Sequence, residues 1–91
     1  FSLTSAQQFK SVCFVEFPAH GGYVIGFITG TIKGKEERLL YKVFIPTTPN
    51  PTSGFMIFFP FEKVILSDMS VEEALQTVIS GGIVSPPAIQ L

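Results

Sequence analysis

The sequence predicts an α+β fold: a curled, mostly antiparallel sheet of four to five strands, one amphipathic C-terminal helix and a short N-terminal helical segment. Three observations support this. Runs rich in β-branched and aromatic residues recur along the chain, glycine and proline separate them, and only one later segment has helical periodicity. The pattern leaves open whether the sheet closes into a barrel. With 91 residues, the chain has the length of one domain.

Five segments are predicted to be strands. The first two, residues 12–17 and 23–33, are joined by a short glycine-containing turn and therefore form a hairpin. Gly26 and Gly30 predict a bulge or a close backbone approach in the second strand. Residues 55–59 (FMIFF) are apolar at every position, which predicts a central place in the sheet. The other two predicted strands are residues 38–45 and 63–67.

One helix is predicted over residues 71–80. Ser70 and Glu73 have the spacing of a capping box, in which each side chain accepts a hydrogen bond from the backbone amide of the other. Gly81 and Gly82 follow the helix and predict a left-handed C-terminal cap. A single apolar stripe at i, i+3, i+4, i+7 and i+8 predicts the face that packs on the sheet; it consists of Val71, Ala74, Leu75, Val78 and Ile79.

Composition limits the classes of function. The net charge of −1 and the dispersed basic residues argue against nucleic-acid binding. The longest apolar run, residues 55–61, contains a proline and is far shorter than the about 20 residues of a transmembrane helix. A 46% apolar content with ten phenylalanines predicts exposed apolar surface that a partner, a second copy or a membrane covers. Because the chain starts at Phe1 without an initiator methionine, we expect a fragment of a longer protein.

The residues that carry most enzyme chemistry are scarce. There is one cysteine, one histidine and one aspartate. Cys13 lies among apolar residues and is predicted to be a small buried hydrophobe. His20 is predicted to be a solvated turn residue, and Asp68 to serve the turn or helix start that follows it. Their spacing fits no metal site or catalytic set, so we expect no enzyme activity, cofactor or metal.

A rigid, uncharged loop at residues 46–54 is the remaining candidate site. Its three prolines fix backbone angles and remove hydrogen-bond donors. Its hydroxyl and amide groups have two interpretations: they bind a ligand or a neighbouring chain, or they satisfy the backbone of the loop itself. The candidate binding or interface residues are Thr47, Thr48, Pro49, Asn50, Pro51, Thr52, Ser53 and Gly54.

Several segments, taken in order, resemble one family of membrane proteins. They are FVEFP at 14–18, GFITG at 26–30, VFIPTTPNPTSG at 43–54, DMSVEEA at 68–74 and SGG at 80–82. Together they resemble the domain of unknown function 502, whose plant branch is the continuous vascular ring-like proteins. The motif positions that transfer from this resemblance are Thr29, Gly30, the 46–54 loop, Asp68, Gly81 and Gly82.

The resemblance also implies a membrane context. It implies two transmembrane helices upstream, with residues 1–10 as the end of a linker or amphipathic helix. Residues 11–84 are predicted to form a single soluble domain, and residues 85–91, whose prolines cannot continue a helix or a sheet, an extended tail. The resemblance implies no established biochemical activity. A two-helix hairpin returns the chain to its starting side, and a free cysteine suits a reducing compartment. We therefore expect the domain on the cytoplasmic face of an integral membrane protein.

Three functions remain open from the sequence. The first is a non-enzymatic interaction module that assembles with itself or a membrane-protein partner through its sheet edges and the 46–54 loop. The second is a small-ligand or lipid-sensing regulatory domain attached to a transporter or channel. The third, which rests on the membrane context, is an enzyme or a regulatory domain of a transporter or channel. Its enzymatic version would require His20 or Cys13 within hydrogen-bonding reach of Asp68 or a glutamate.

Overall fold

The computed structural model describes residues 11–91. It contains five strands and one helix, which makes the fold α+β, as predicted. The first predicted segment, the N-terminal helical stretch within residues 1–10, lies outside the described residues. The elements are β1 (Ser11–Glu16), β2 (Tyr23–Lys33), β3 (Leu39–Pro46), β4 (Gly54–Pro60), β5 (Ile65–Ser67) and α1 (Val71–Ile79), with 3₁₀ turns at Lys35–Glu37 and Phe61–Lys63.

The five strands form one open antiparallel sheet in the order β4-β3-β2-β1-β5. The barrel that the sequence left open does not form, because β4 pairs with β3 and β5 pairs with β1, so the two end strands do not pair with each other. The first four strands follow one another as hairpin neighbours. The chain then passes back to place β5 beside β1, where Val12 pairs with Ser67.

The predicted hairpin of β1 and β2 is present, and β2 has the predicted bounds. The predicted irregularity also occurs, because the register of β2 against β3 shifts between Ile28 and Gly30. Thr29 is the extra residue of this bulge, and its hydroxyl donates to the Lys42 carbonyl at 3.3 Å. A bulge increases the local twist of a strand. The part of β2 after Thr29 is therefore twisted relative to the part before it, which packs against the helix.

Each face of the sheet carries its own apolar cluster. On the helix side, Val12 and Phe27 pack with Ala74 of α1, and all three side chains are buried. On the opposite side a second buried cluster is formed by Cys13, Val15, Ile28, Val43 and Ile45. Because successive side chains of a strand point to opposite faces, β1 contributes to both clusters, and Val12 to Val15 are all buried.

The sheet curls over the second cluster. Phe17 directly follows β1 and Phe55 is the second residue of β4, with β2 and β3 lying between those strands. A flat sheet would separate β1 from β4 by roughly 14 Å. The two rings nevertheless lie 5.3 Å apart, centre to centre. Within residues 11–91, this curvature and the stacking of Tyr41 on Phe61 at 4.1 Å are what cover the second face.

The helix ends follow the sequence prediction. The Ser70 hydroxyl accepts from the Glu73 amide at 3.1 Å, and the Glu73 carboxylate accepts from the Ser70 amide at 3.0 Å. At the other end, Gly81 and Gly82 both have positive φ, and their amides bond to the carbonyls of Val78 and Thr77. This is a Schellman cap. The predicted apolar stripe is only partly buried, because Ile79 is 53% exposed.

The prediction of a central β4 is wrong. The strand lies at the edge of the sheet, and Phe55, Met56 and Phe58 are 54%, 55% and 47% exposed. Its continuous apolar sequence suggested burial on both faces. The connection at 46–54 makes β4 the hairpin neighbour of β3, whose other side is already taken by β2, and β5 adds to the far end of the sheet. The strand is therefore forced to the outside.

Cys13 provides a pH-dependent test of the second cluster. Burial raises the pKa of its thiol to about 12, against 9.0 for an ordinary cysteine, and a backbone hydrogen bond with Gly26 opposes part of that shift. Between these two pH values the unfolded chain loses the thiol proton while the folded chain keeps it. We expect the free energy of unfolding to fall as pH rises through this window, by up to about 1.4 kcal/mol per pH unit.

The measurement is denaturant unfolding of the wild type and of Cys13→Ala from pH 8 to 10.5. All other ionisable groups are the same in both proteins, so the difference between the two curves isolates the thiol. The stability of the wild type should decline more steeply than that of the variant. Parallel curves would contradict the burial of this thiol.

Candidate functional site

The 46–54 loop is organised around the side chain of Thr47. Its hydroxyl lies 2.7 Å from the Asn50 carbonyl, 3.1 Å from the Ser53 carbonyl and 2.9 Å from the Ser53 hydroxyl. The Thr47 amide also donates to the Ser53 carbonyl at 2.9 Å. One threonine therefore ties the two sides of the loop together. These contacts favour the interpretation in which the loop's hydroxyls satisfy its own backbone.

A second set of contacts closes the tip of the loop. The Asn50 side-chain oxygen accepts from the Thr52 amide at 3.1 Å and from the Thr52 hydroxyl at 2.6 Å. An asparagine that binds the backbone two residues later is typical of a turn. Gly54 is required at the loop's end, because a Cβ there would overlap the carbonyl group of Ile45 and approach Pro46 Cα within 2.9 Å.

One hydroxyl of the loop points away from it. Thr48 donates to the carbonyl of Val78 in the last turn of α1. Gly81, at the helix end, lies beside this contact, since a Cβ built on it would be 3.9 Å from the Thr48 hydroxyl. The loop therefore docks on the C-terminal end of the helix. Two groups of predicted motif residues, the loop and Gly81-Gly82, meet here.

A shallow cleft of about 250 Å³ lies beside this contact. Its walls come from the start of β2, from the loop and from the end of α1. Its lining is mostly apolar, with the hydroxyls of Tyr23, Thr48 and Thr77 as the side-chain polar groups. A neighbouring cleft, also of about 250 Å³, is lined by Phe14, Tyr23 and Ile25 and by residues 85–91 of the tail. Tyr23, Ile25 and Thr77 line both clefts.

The other predicted motif residues lie elsewhere. Thr29 and Gly30 form the bulge of β2, and their role in the structure is to shift its register against β3. Asp68 is exposed just before the helix and lines a different, polar cleft with Ser67 and Glu73. Ser70 and Glu73 cap the helix. The structure thus brings together only part of the motif set.

A pair of ionisable side chains lies at the β1–β2 turn, where the predicted turn residue His20 meets Glu16, a glutamate that the sequence did not single out. The Glu16 carboxylate lies 3.3 Å from His20 Nδ1 and accepts from the Gly21 amide at 3.0 Å. These hydrogen bonds, the backbone one first, lower the pKa of Glu16. The four-residue spacing across Pro18 was the available signal. This is the histidine–glutamate contact that the enzyme alternative required, but the His20 side chain is 92% exposed, as expected of a solvated turn residue.

Cys13 stays apart from this pair. It is fully buried among the apolar side chains of the second cluster. Among residues 11–91, no three of the His, Cys, Asp and Glu side chains lie close enough together to hold a metal ion. Within the same part of the chain, no helix has the length and apolar character to cross a membrane.

The fold and the loop define a class: a small sheet-and-helix domain in which a proline-rich hairpin loop docks on the end of α1. Comparison with known proteins then gives the family. Residues 1–53 match the family described as "Protein of unknown function (DUF502)". The chain belongs to this family, which confirms the resemblance seen in its motifs.

Proteins of Arabidopsis thaliana are among the relatives. The chain is 33% identical over 85 residues to Protein LIKE COV 1 and to Protein CONTINUOUS VASCULAR RING 1, and 34% identical over 87 residues to Protein LIKE COV 3. Each match covers 90% of this chain but only 33%, 31% and 31% of those relatives. The chain thus spans about a third of their length. No solved structure matches it.

The contact between the loop and the helix can be tested with Thr48→Val, which keeps the shape of the side chain and removes its hydroxyl. The Val78 carbonyl also accepts from the amide of Gly81, so it is not left without a partner. We expect a loss of about 0.5–1.5 kcal/mol in the free energy of unfolding, measured by denaturant titration.

The matched control is Thr52→Val. Its hydroxyl bonds only to Asn50 within the exposed tip of the loop, and Asn50 keeps the Thr52 amide. This variant should change stability by less than about 0.5 kcal/mol. Equal effects of the two substitutions would mean that the loop is not held by the helix.

Proposed function

We propose that this chain is a non-enzymatic interaction or assembly module of a membrane protein. It would contact a second copy or a membrane-protein partner through its sheet edge and the 46–54 loop. The observation that carries the proposal is the exposed apolar surface of β4, where Phe55, Met56 and Phe58 are each about half exposed. Because successive strand residues point to opposite faces, Phe55 lies on one face of this edge strand and Met56 and Phe58 lie on the other, so exposed apolar side chains flank the edge on both faces.

The loop supports this proposal through its rigidity. Its hydroxyls and the Asn50 oxygen hold the loop in one shape and fix it to the helix. A surface that is ordered before it binds loses less conformational entropy on association. The loop adjoins β4 directly, so the two features form one continuous surface along that end of the molecule.

The membrane part of the proposal rests on the family resemblance. That resemblance implies transmembrane helices upstream of the chain, and the expected position on the cytoplasmic face follows from a helical hairpin and a free cysteine. We propose that the exposed apolar residues then meet sister copies or the membrane-spanning part of the same protein. No cofactor or nucleic acid is part of this function.

The experiment is photo-crosslinking of the full protein in the cells that produce it. A photoreactive phenylalanine analogue replaces Phe55 on the edge strand, Thr52 at the tip of the loop or, as a control, Glu72 on the exposed face of the helix. We expect crosslinked protein species from positions 55 and 52 and none from 72, because only the first two lie on the proposed surface. Absence of crosslinks at all three positions would overturn the proposal.

A second candidate, a small-ligand or lipid-sensing domain, is favoured by one observation. A ligand of this kind would lie between the helix and the sheet beside the loop. The cleft at Pro46 and Thr48 is at that position. Its volume of about 250 Å³ lies slightly below the usual range of about 300–1,000 Å³ for ligand pockets. An acyl chain with a small polar head group is the class of ligand that suits its apolar walls and hydroxyls.

The probe for this second candidate is a fluorescent long-chain fatty acid. We expect saturable binding that weakens at least about tenfold in Thr77→Trp, which fills the cleft, and does not change in Glu72→Trp on the exposed face. Binding that does not saturate, or that both variants leave unchanged, would remove this candidate.

A further inference from the structure

The two edges of the sheet differ in how well they are protected against pairing with another strand. At one edge, β5 has three residues and stands between Lys63 and Asp68. Short edge strands and nearby charges are common ways in which proteins prevent edge-to-edge pairing. At the other edge, β4 has seven residues, none of them charged, and its sole proline is the last residue. In the part of the chain that the structure describes, β4 is therefore the edge that offers a long strand to a partner.

The register of the β3–β4 hairpin shows which backbone groups of β4 point outward. Thr47 donates to Ser53, and Pro46 pairs with Gly54 as the next rung. In an antiparallel pair, hydrogen-bonded and non-hydrogen-bonded rungs alternate. The residues at 55, 57 and 59 therefore bond to β3, while Gly54, Met56 and Phe58 direct their N–H and C=O groups away from it. Pro60 belongs to this outward set but has no N–H to offer.

The outward backbone groups decide between two kinds of partner. The exposed apolar side chains of Met56 and Phe58 suit contact with either a bilayer or another protein. Unpaired backbone groups in hydrocarbon cost several kcal/mol each, so a bare strand edge is excluded from the bilayer interior. A second β-strand satisfies these groups and covers the apolar side chains at the same time. The partner that the β4 edge fits is therefore a strand.

We propose that this strand is β4 of a second copy, paired antiparallel about a twofold axis. The inference rests on the proposed assembly function and names its partner and its surface. An uncharged strand presents no repulsion to its own copy, and a twofold pairing closes on itself. A head-to-tail pairing of β4 with β5 would match seven residues against three and would leave most of the β4 edge unpaired.

The position of Pro60 fixes the register. With the axis at Met56, Met56 of one chain lies opposite Met56 of the second chain, and Gly54 lies opposite Phe58 of the second chain. All three outward N–H groups are then used, and Pro60 lies beyond the paired segment. With the axis at Ile57, the three N–H groups are used as well, but each Gly54 carbonyl lies opposite Pro60 of the other chain, which has no N–H to donate. With the axis at Phe58, Gly54 lies opposite Glu62, beyond the strand, and only two outward N–H groups of each chain find a partner in the second strand. The result of pairing about Met56 is one continuous sheet of ten strands from the two copies.

The test is disulfide cross-linking of Met56→Cys in the full protein, within the cells that produce it. Residues of a hydrogen-bonded antiparallel pair have Cα atoms about 5.5 Å apart, a distance that a disulfide spans. We expect a disulfide-linked dimer after mild oxidation. The matched control is Leu66→Cys on β5, which is 58% exposed against 55% for Met56 and should give no dimer. The native Cys13 is fully buried, so the unaltered protein provides the background.

A second pair of variants keeps the test independent of cysteine chemistry. Met56→Lys places two positive charges opposite each other at the axis, and Met56→Glu places two negative charges there. Each variant alone should weaken self-association at least about tenfold. Two differently tagged copies, one with each substitution, should recover it, since the opposite charges then face each other. Such mutual rescue is not expected from variants that simply fail to fold.

The outcomes separate this inference from the proposed function. Cross-linking at position 56 with mutual charge rescue supports the β4 pairing. An assembly that forms without either result overturns the β4 pairing and leaves the proposed function in place, with another surface responsible. Absence of any assembly, both here and in the photo-crosslinking experiment, overturns the two together.

Discussion

The burial of β1 on both faces is the constraint on which the remaining structure depends. Val12 and Phe14 face the helix side, Cys13 and Val15 face the curled side, and all four are buried. Each of the two apolar clusters includes residues of β1. The two edges of β1 pair with β2 and β5. Because α1 covers only one face, the opposite face is enclosed by curvature of the sheet, which brings Phe17 against Phe55.

Local signals in the sequence were sufficient for most elements and insufficient for their arrangement. The bounds of β2, the Ser70–Glu73 capping box and the glycine cap of the helix depend on contacts between near neighbours, and all three were predicted. The position of β4 depends on where β5 adds, which is a contact between distant residues. By sequence, β1 and β4 are both continuous apolar runs, yet one is the most buried strand and the other is an exposed edge.

The candidate site shows the same division. The chemistry of the 46–54 loop predicted stiffness and hydrogen bonding within it, and Thr47, Asn50 and Ser53 make such bonds. That Thr48 reaches Val78 required the fold, because the two residues are distant along the chain. The contact of Glu16 with His20 was not predicted, because Glu16 belongs to a predicted strand and His20 to the turn that follows it. The role of the loop as an interface stays a prediction.

The pairing of β1 with β5 has a consequence for how the domain is made. One partner of β1 in the sheet is β2, which follows it directly in the chain. The other partner is β5, which comes just before the helix. A ribosome releases the chain from its N-terminal end, so one edge of β1 lacks its partner until nearly the whole domain has been synthesised. The helix that covers its side chains emerges later still. Folding of this domain therefore waits for its C-terminal third, although its most buried strand is the earliest to appear.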